Sequence, residues 1–310
     1  DFGDGEKADG IHAAHRYRAP GTYAAKLTVD DGAGLANSVA SAGVKVTVNP
    51  PPAPAISGPA VACVGERVAW KAGSNAASYA WSFGDGATAA TADAAHAYLK
   101  PGRYSLGLLE DDGRGLANSR QLVTGMIHVN QPPHADAGPD QRACPGSAVT
   151  FDASGSADAD GKLIRYRWDF GDGALLDGEK VRHAFAKPGT YGVKLTVTDD
   201  AGSTCSSVTD EAMVAVNAPP VADAGKDREV FIGGANDAVL LDGSASWDPD
   251  GEALAHSWTI GDGSSELGER VRHTFLAEGD YPVTLTVSDT SGLACGTAST
   301  TVHIHARQRP

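Results

Sequence analysis

Four copies of one pattern, held in one register, constrain this chain more than any other feature of it. Phe2-Gly3-Asp4-Gly5, Phe83-Gly84-Asp85-Gly86, Phe170-Gly171-Asp172-Gly173 and Ile260-Gly261-Asp262-Gly263 mark the copies. At a fixed distance downstream stand Pro20-Gly21, Pro101-Gly102, Pro188-Gly189 and Glu278-Gly279. Each is followed by a tyrosine (Tyr23, Tyr104, Tyr191, Tyr281) and preceded by a histidine (His15, His96, His183, His273). Val-Asn followed by prolines punctuates the copies at Val48-Asn49-Pro50-Pro51, Val129-Asn130-Gln131-Pro132-Pro133 and Val216-Asn217-Ala218-Pro219-Pro220. Proline pairs favour extended backbone, so these linkers are expected to be short and stiff. The divisions are then 1–49, the second half of a repeat; 50–130, 131–217 and 218–305, three complete repeats; and 306–310, a basic tail.

Within a repeat the hydrophobic period is two. Tyr191, Val193, Leu195 and Val197 alternate with Gly192, Lys194, Thr196 and Thr198, and Tyr166, Trp168 and Phe170 alternate with Arg165, Arg167 and Asp169. Such alternation specifies strands with one buried face. No stretch keeps a helical period. The chain has 38 glycines, 17 prolines and only 6% aromatic residues, as expected of short strands joined by turns. The expected fold is all-β: tandem immunoglobulin-like β-sandwiches joined by short proline-containing linkers. Pro-Gly-x-Tyr at a strand start has the form of a tyrosine corner, in which the phenol bonds back to the backbone. The net charge of −14 and pI near 5.0 argue against nucleic-acid partners and suit divalent cations. No run reaches the roughly 18 apolar residues of a membrane span. The start carries no signal-peptide pattern and falls inside a motif, which reads as a fragment or a processed chain.

Tyr166-x-Trp168-Asp169-Phe170-Gly171-Asp172-Gly173, His183-x-Phe185 and Pro188-Gly189-x-Tyr191-x-Val193-x-Leu195-Thr196-Val197 together resemble PKD (polycystic kidney disease) repeats, of a bacterial surface or secreted type. The resemblance covers nearly the whole chain. It implies immunoglobulin-like sandwiches that occur in tandem in cell-surface and secreted proteins, or beside the catalytic domains of secreted proteases and chitinases. There they space, adhere or bind polymer and are not themselves catalytic.

Several residue patterns suggest chemistry but also admit a structural role. Asp-Phe-Gly invites comparison with the magnesium-holding tripeptide of kinases, but no phosphate loop or catalytic loop accompanies it. Asp-Gly is a tight-turn signal, and the first aspartate position varies among Asp1, Ser82, Asp169 and Thr259, which argues against a shared chemical role. The repeated histidines lack a nucleophile at any matching position, so they read as packed side chains. Metal binding has a better candidate in Asp152-Ala153-Ser154-Gly155-Ser156-Ala157-Asp158-Ala159-Asp160-Gly161 and its counterpart Asp242-Gly243-Ser244-Ala245-Ser246-Trp247-Asp248-Pro249-Asp250-Gly251. These suit Ca²⁺, held by Asp158 and Asp160 or by Asp248 and Asp250, with Ser154, Ser156, Ser244 and Ser246 as supporting oxygens. The resemblance supports this, since some collagenase PKD-like domains hold calcium with similar aspartates. The alternative is an Asx-turn loop. The second repeat lacks Asp-x-Asp and is expected to bind none.

Alignment on the Asp-Gly landmarks puts Cys63 and Cys144 at one position and Cys205 and Cys295 at another. Only the third repeat has both, so the expected disulfide is Cys144–Cys205, contributing about 4 kcal/mol on the loop-entropy model and implying an oxidising compartment. Asn118 and Phe231 stand where partners for Cys63 and Cys295 would be, leaving these two unpaired or bonded between repeats or between chains. The first half-repeat cannot bury a core of its own. Missing upstream sequence or strand addition from another chain, as in a filament, would complete it. The resulting expectation is a non-enzymatic, extracellular or cell-surface (or periplasmic) structural or adhesive protein that partners other protein chains. The alternative is the accessory region of a secreted hydrolase that recognises collagen, chitin or another polysaccharide, with Trp247 as a contact.

Overall fold

The computed structural model describes residues 1–234 and 237–309, and among these there are strands and turns but no helix. Two compact units divide the chain, Asp1–Gln131 and Pro132–Pro310.

The second unit holds two complete sandwiches. In the third repeat a five-stranded sheet runs in the order Gln141–Ala143, Ser207–Val216, Gly189–Asp199, Leu163–Asp169, Leu175–Asp177, and faces a pair made of Ala148–Asp152 and Lys180–Ala184. The fourth repeat copies this, with Arg228–Ile232, Thr297–Gln308, Gly279–Ser288, Ala255–Ile260 and Ser265–Leu267 in one sheet and Val239–Asp242 and Arg270–His273 in the other. The period-two reading holds residue by residue. Val193, Leu195 and Val197 are fully buried while Lys194 faces out. Each large apolar side chain removed from water contributes roughly 1.5–3 kcal/mol, and Phe151, Trp168, Phe170 and Phe185 fill the centre of this core. The buried Trp168 indole N–H donates to Gly178 O at 3.0 Å, and Trp258 does the same to Gly268 O. The one polar atom of each ring is thereby satisfied inside an apolar core.

The first unit holds one complete sandwich and one two-stranded sheet. Val61–Cys63, Arg120–Asn130, Gly102–Asp111, Ser78–Ser82 and Thr88–Ala89 form the larger sheet of the second repeat, and Ile56–Ser57, Arg67–Ala72 and Asp93–Ala97 the smaller. Gly21–Asp30 and Val39–Val48 pair only with each other. The consequence shows in burial: Leu27 is 61% exposed and Val29 58%, whereas the matching Leu195 and Val197 are fully buried.

Turn chemistry explains how the strands connect. Gly171 has φ +73°, and a Cβ there would lie 2.9 Å from the Gly192 carbonyl oxygen, so only glycine fits. The tyrosine corners form in all four copies: Tyr23, Tyr104, Tyr191 and Tyr281 donate to the carbonyls of Ala19, Lys100, Lys187 and Ala277 at 2.8–3.0 Å.

The expected Cys144–Cys205 disulfide is not formed. Cys144 bonds Cys295 of the fourth repeat, with Cα atoms 5.8 Å apart. The reason is register. Gln141–Ala143 lies parallel to Val214–Val216, at the far end of the strand that begins beside Cys205. At ~3.4 Å per residue the length of that strand separates the two cysteines by roughly 30 Å, well beyond the Cα separation a disulfide tolerates. Cys63 and Cys205 each take part in a disulfide as well, and no cysteine among the described residues is free. Cys295 is thus bonded between repeats, one of the alternatives the alignment left open.

Candidate functional site

The repeated Asp-Gly turn and the repeated histidine form one clasp. Asp172 accepts the Ala174 N–H on Oδ1 at 3.0 Å and meets His183 Nε2 through Oδ2 at 2.7 Å. His15–Asp4, His96–Asp85 and His273–Asp262 repeat the pair at 2.6, 2.6 and 2.8 Å. The His183 ring stacks on Phe170 at 4.2 Å and meets Phe185 edge-on at 4.8 Å. A histidine sandwiched between aromatic rings and bonded to a turn carboxylate ties a strand to a turn. Its geometry is that of a fastener.

The acidic loops are divided between two tasks. In the third repeat, Asp152 accepts the Ser154 N–H and pairs with Lys180 at 2.8 Å. The Lys180 ammonium, with Ser154, holds its carboxyl down at about 2. Ser156 Oγ accepts the Asp136 N–H at 3.0 Å. Asp158 accepts the Asp160 N–H on Oδ1, while its Oδ2 is buried without a partner. Burial, and then the neighbouring Asp160 and Asp199, raise this carboxyl above its ordinary range. Gly161 lies under it: a Cβ there would be 2.5 Å from Asp158 Oδ2 and 2.7 Å from Asp200 Oδ1. The two carboxylates thus approach over a residue that has no side chain.

In the fourth repeat the same loop faces the linker. Ser246 Oγ accepts the Asp223 N–H at 3.0 Å, and Asp250 Oδ2 accepts the Ala218 N–H at 2.6 Å. Asp248 accepts from the Asp250 and Glu252 N–H groups, again leaving a buried Oδ2 unpartnered. Hydrogen bonds from Ser244, with help from Arg270, hold Asp242 at about 2. Of the expected calcium ligands, Asp158, Asp248, Asp250, Ser156 and Ser246 each accept a backbone N–H. Among the described residues, no three His, Cys, Asp or Glu side chains are grouped so as to hold a metal ion.

What sequence reasoning missed is the joint between the third and fourth repeats. Asn217, buried in the linker, donates to Asp289 Oδ2 at 2.9 Å. Arg142 stands 3.9 Å from Glu252, which in turn accepts from the Thr290 N–H and hydroxyl. The Cys295 N–H points at Cys144 Sγ, 3.1 Å away. The available signal was Val-Asn itself, since an asparagine at each boundary supplies an amide donor there. In the first unit Asn118, aligned with Cys205 and Cys295, donates instead to Asn49 O at 3.1 Å. Trp247 is 55% exposed, and its backbone pairs with Val221 of the linker. No helix among the described residues is long and apolar enough to cross a membrane.

Comparisons with known proteins agree with this geometry. A PKD domain model matches residues 1–46, 49–127, 130–214 and 217–304. The chain is 34% identical over 214 residues to the Dyslexia-associated protein KIAA0319 homolog of Rattus norvegicus, which covers 63% of this chain and 19% of that protein. It is 42% identical over 76 residues to Collagenase ColA of Clostridium perfringens, 24% of this chain and 7% of the enzyme. The crystal structure of the PKD1 domain from the Vibrio cholerae metalloprotease PrtV matches 28% of this chain and 99% of that domain, at 31% identity and a TM-score of 0.23. The chain thus spans less than a fifth of the length of these curated relatives.

Proposed function

The chain belongs to the PKD domain family, and from that premise we propose that it is a non-catalytic, extracellular or cell-envelope spacer that presents interaction surfaces to other protein chains. The observation carrying this reading is that the repeated polar groups are engaged in holding the sandwiches and their joint together: the histidines by turn aspartates, Asp250 and Asp289 by the linker. Four disulfide-bonded cysteines support an oxidising compartment. Sedimentation of the purified chain tests the self-associating form of this reading. Concentration-dependent growth in size favours a filament through the open Gly21–Asp30 sheet; a size that stays constant removes it.

A second reading, an accessory polymer-binding region, is favoured by exposed Trp247 and by the similarity to a collagenase. Retention on insoluble collagen or chitin that Trp247→Ala abolishes would support it, and equal retention of both proteins would remove Trp247 from the reading.

Calcium belongs to the same proposal, at the Asp158 loop and its Asp248 counterpart, each of which buries an unpartnered Oδ2. The support is the buried, unpartnered Asp158 Oδ2 beside other carboxylates, since a hard cation would satisfy that oxygen. Thermal melting in chelator and in millimolar calcium should differ; coincident curves would remove calcium from the account.

A further inference from the structure

One covalent link in the second unit matters more for its place in the chain than for its local contacts. Cys144 follows the short Gln141–Ala143 strand of the third repeat, and Cys295 precedes the Thr297–Gln308 strand of the fourth. They are 151 residues apart in sequence and directly bonded. Nearly all of both sandwiches, with the linker between them, therefore forms a closed loop on that bond. Only residues 132–144 and 295–310 of this unit lie outside it.

We propose that the Cys144–Cys295 bond is a tension bypass: a pull applied across this unit runs through the two sulfurs and leaves residues 145–294, the greater part of both sandwiches, unloaded. Tension in a cross-linked chain follows the shortest covalent path, and the loop is not on it. An extended chain spans at most ~3.3–3.6 Å per residue, so the closed loop withholds roughly 500 Å of length. This property stands whether or not the chain binds a polymer.

The joint is built so that the bypass closes. Asn217 is bonded to Asp289 and Ala218 to Asp250, which seats the linker against the loops on either side of the cysteines. The segments outside the loop differ in how they can yield. Gln141–Ala143 has a single three-residue pairing and can peel. Thr297–Gln308 lies between two strands, paired with Gly279–Ser288 along most of its length and with Arg228–Ile232 at its end. A pull along it loads these bonds together.

The bypass is reversible by thiol chemistry. One thiolate of a dithiol attacks either sulfur, breaking the Cys–Cys bond, forming a mixed disulfide and releasing one cysteine thiolate. The second thiol displaces the other cysteine; the dithiol leaves as a disulfide, and Cys144 and Cys295 take up two protons. Two electrons pass from the dithiol to the cysteines, and the loop joins the load path.

The test is single-molecule stretching of the full chain between a bio-orthogonal residue substituted at Gln131 and the C-terminus. In oxidising buffer the oxidised chain should release only the segments outside the loop, about 100 Å fully extended. Adding a dithiol, or pulling the Cys144→Ser/Cys295→Ser double variant, should add roughly 500 Å in unfolding steps. Release of the full length by the oxidised chain would overturn the proposal, as would an oxidised length that the dithiol leaves unchanged. If the double variant does not fold, the natural chain before and after the dithiol decides the matter alone.

Discussion

Glu110 sits where the fold asks for an aliphatic side chain. It occupies the inward position that Val197 and Val287 fill in the next two repeats, and it is fully buried. The Ser74 hydroxyl donates to its Oε2, while Oε1 has no partner. A buried carboxyl group with one oxygen unsatisfied costs stability that a methyl-bearing side chain would not. Glu110→Val should therefore raise the unfolding free energy by about 1–2 kcal/mol, read as a higher denaturant midpoint; a lower midpoint would show that the Ser74 contact outweighs the burial cost. Strand alternation puts Glu110 on the inward face, and a serine 36 residues away tethers it there. Long-range side-chain partners of this kind have no local sequence signature.

The strand–turn–strand element around each Asp-Gly was the most legible part of the chain, because its determinants lie within a few residues. Asp-Gly predicts the turn, which forms in all four copies, and period-two alternation predicts the flanking strands, which form in the second, third and fourth. The histidine was legible as packed, but its aspartate partner was not, since they meet only after the sheets close. In Asp172 burial pushes the carboxyl up, but the Ala174 N–H and His183 outweigh it, and the net shift is downward. Asp4, Asp85 and Asp262 also lie below the ordinary range, and Asp152 and Asp242 fall to about 2. A carboxylate whose folded pKa lies below its unfolded one stabilises the fold fully above the unfolded value. That contribution is lost as pH falls through the folded value. Stability should thus be level above about pH 4 and fall steeply toward about pH 2, measured by circular dichroism. A flat acid profile would contradict these shifts. Asp172→Ala should cost about 1 kcal/mol and soften that slope.

The chain as a whole is more than beads in series, and its joint was the least legible part. Aligning cysteines repeat by repeat assumes that each repeat closes on itself, whereas Cys144 finds its partner one repeat later because strand register carries it to the linker end of its sheet. The same end of the fold brings Asp250 Oδ2 to the Ala218 N–H of the linker. Removing the link with Cys144→Ser/Cys295→Ser should lower unfolding free energy by about 2–5 kcal/mol and make the melting of the third and fourth repeats separable by calorimetry. A single unchanged transition would show that the hydrogen bonds alone couple them. The position that carries Cys295 in the fourth repeat carries Asn118 in the second, bonded to Asn49 by one hydrogen bond. That exchange alters duration more than place. A loop contact opens and recloses in nanoseconds to microseconds, whereas an uncatalysed disulfide rearranges over minutes to hours. One alignment column therefore sets how long a joint remembers its arrangement, from an instant at Asn118 to the working life of the molecule at Cys295.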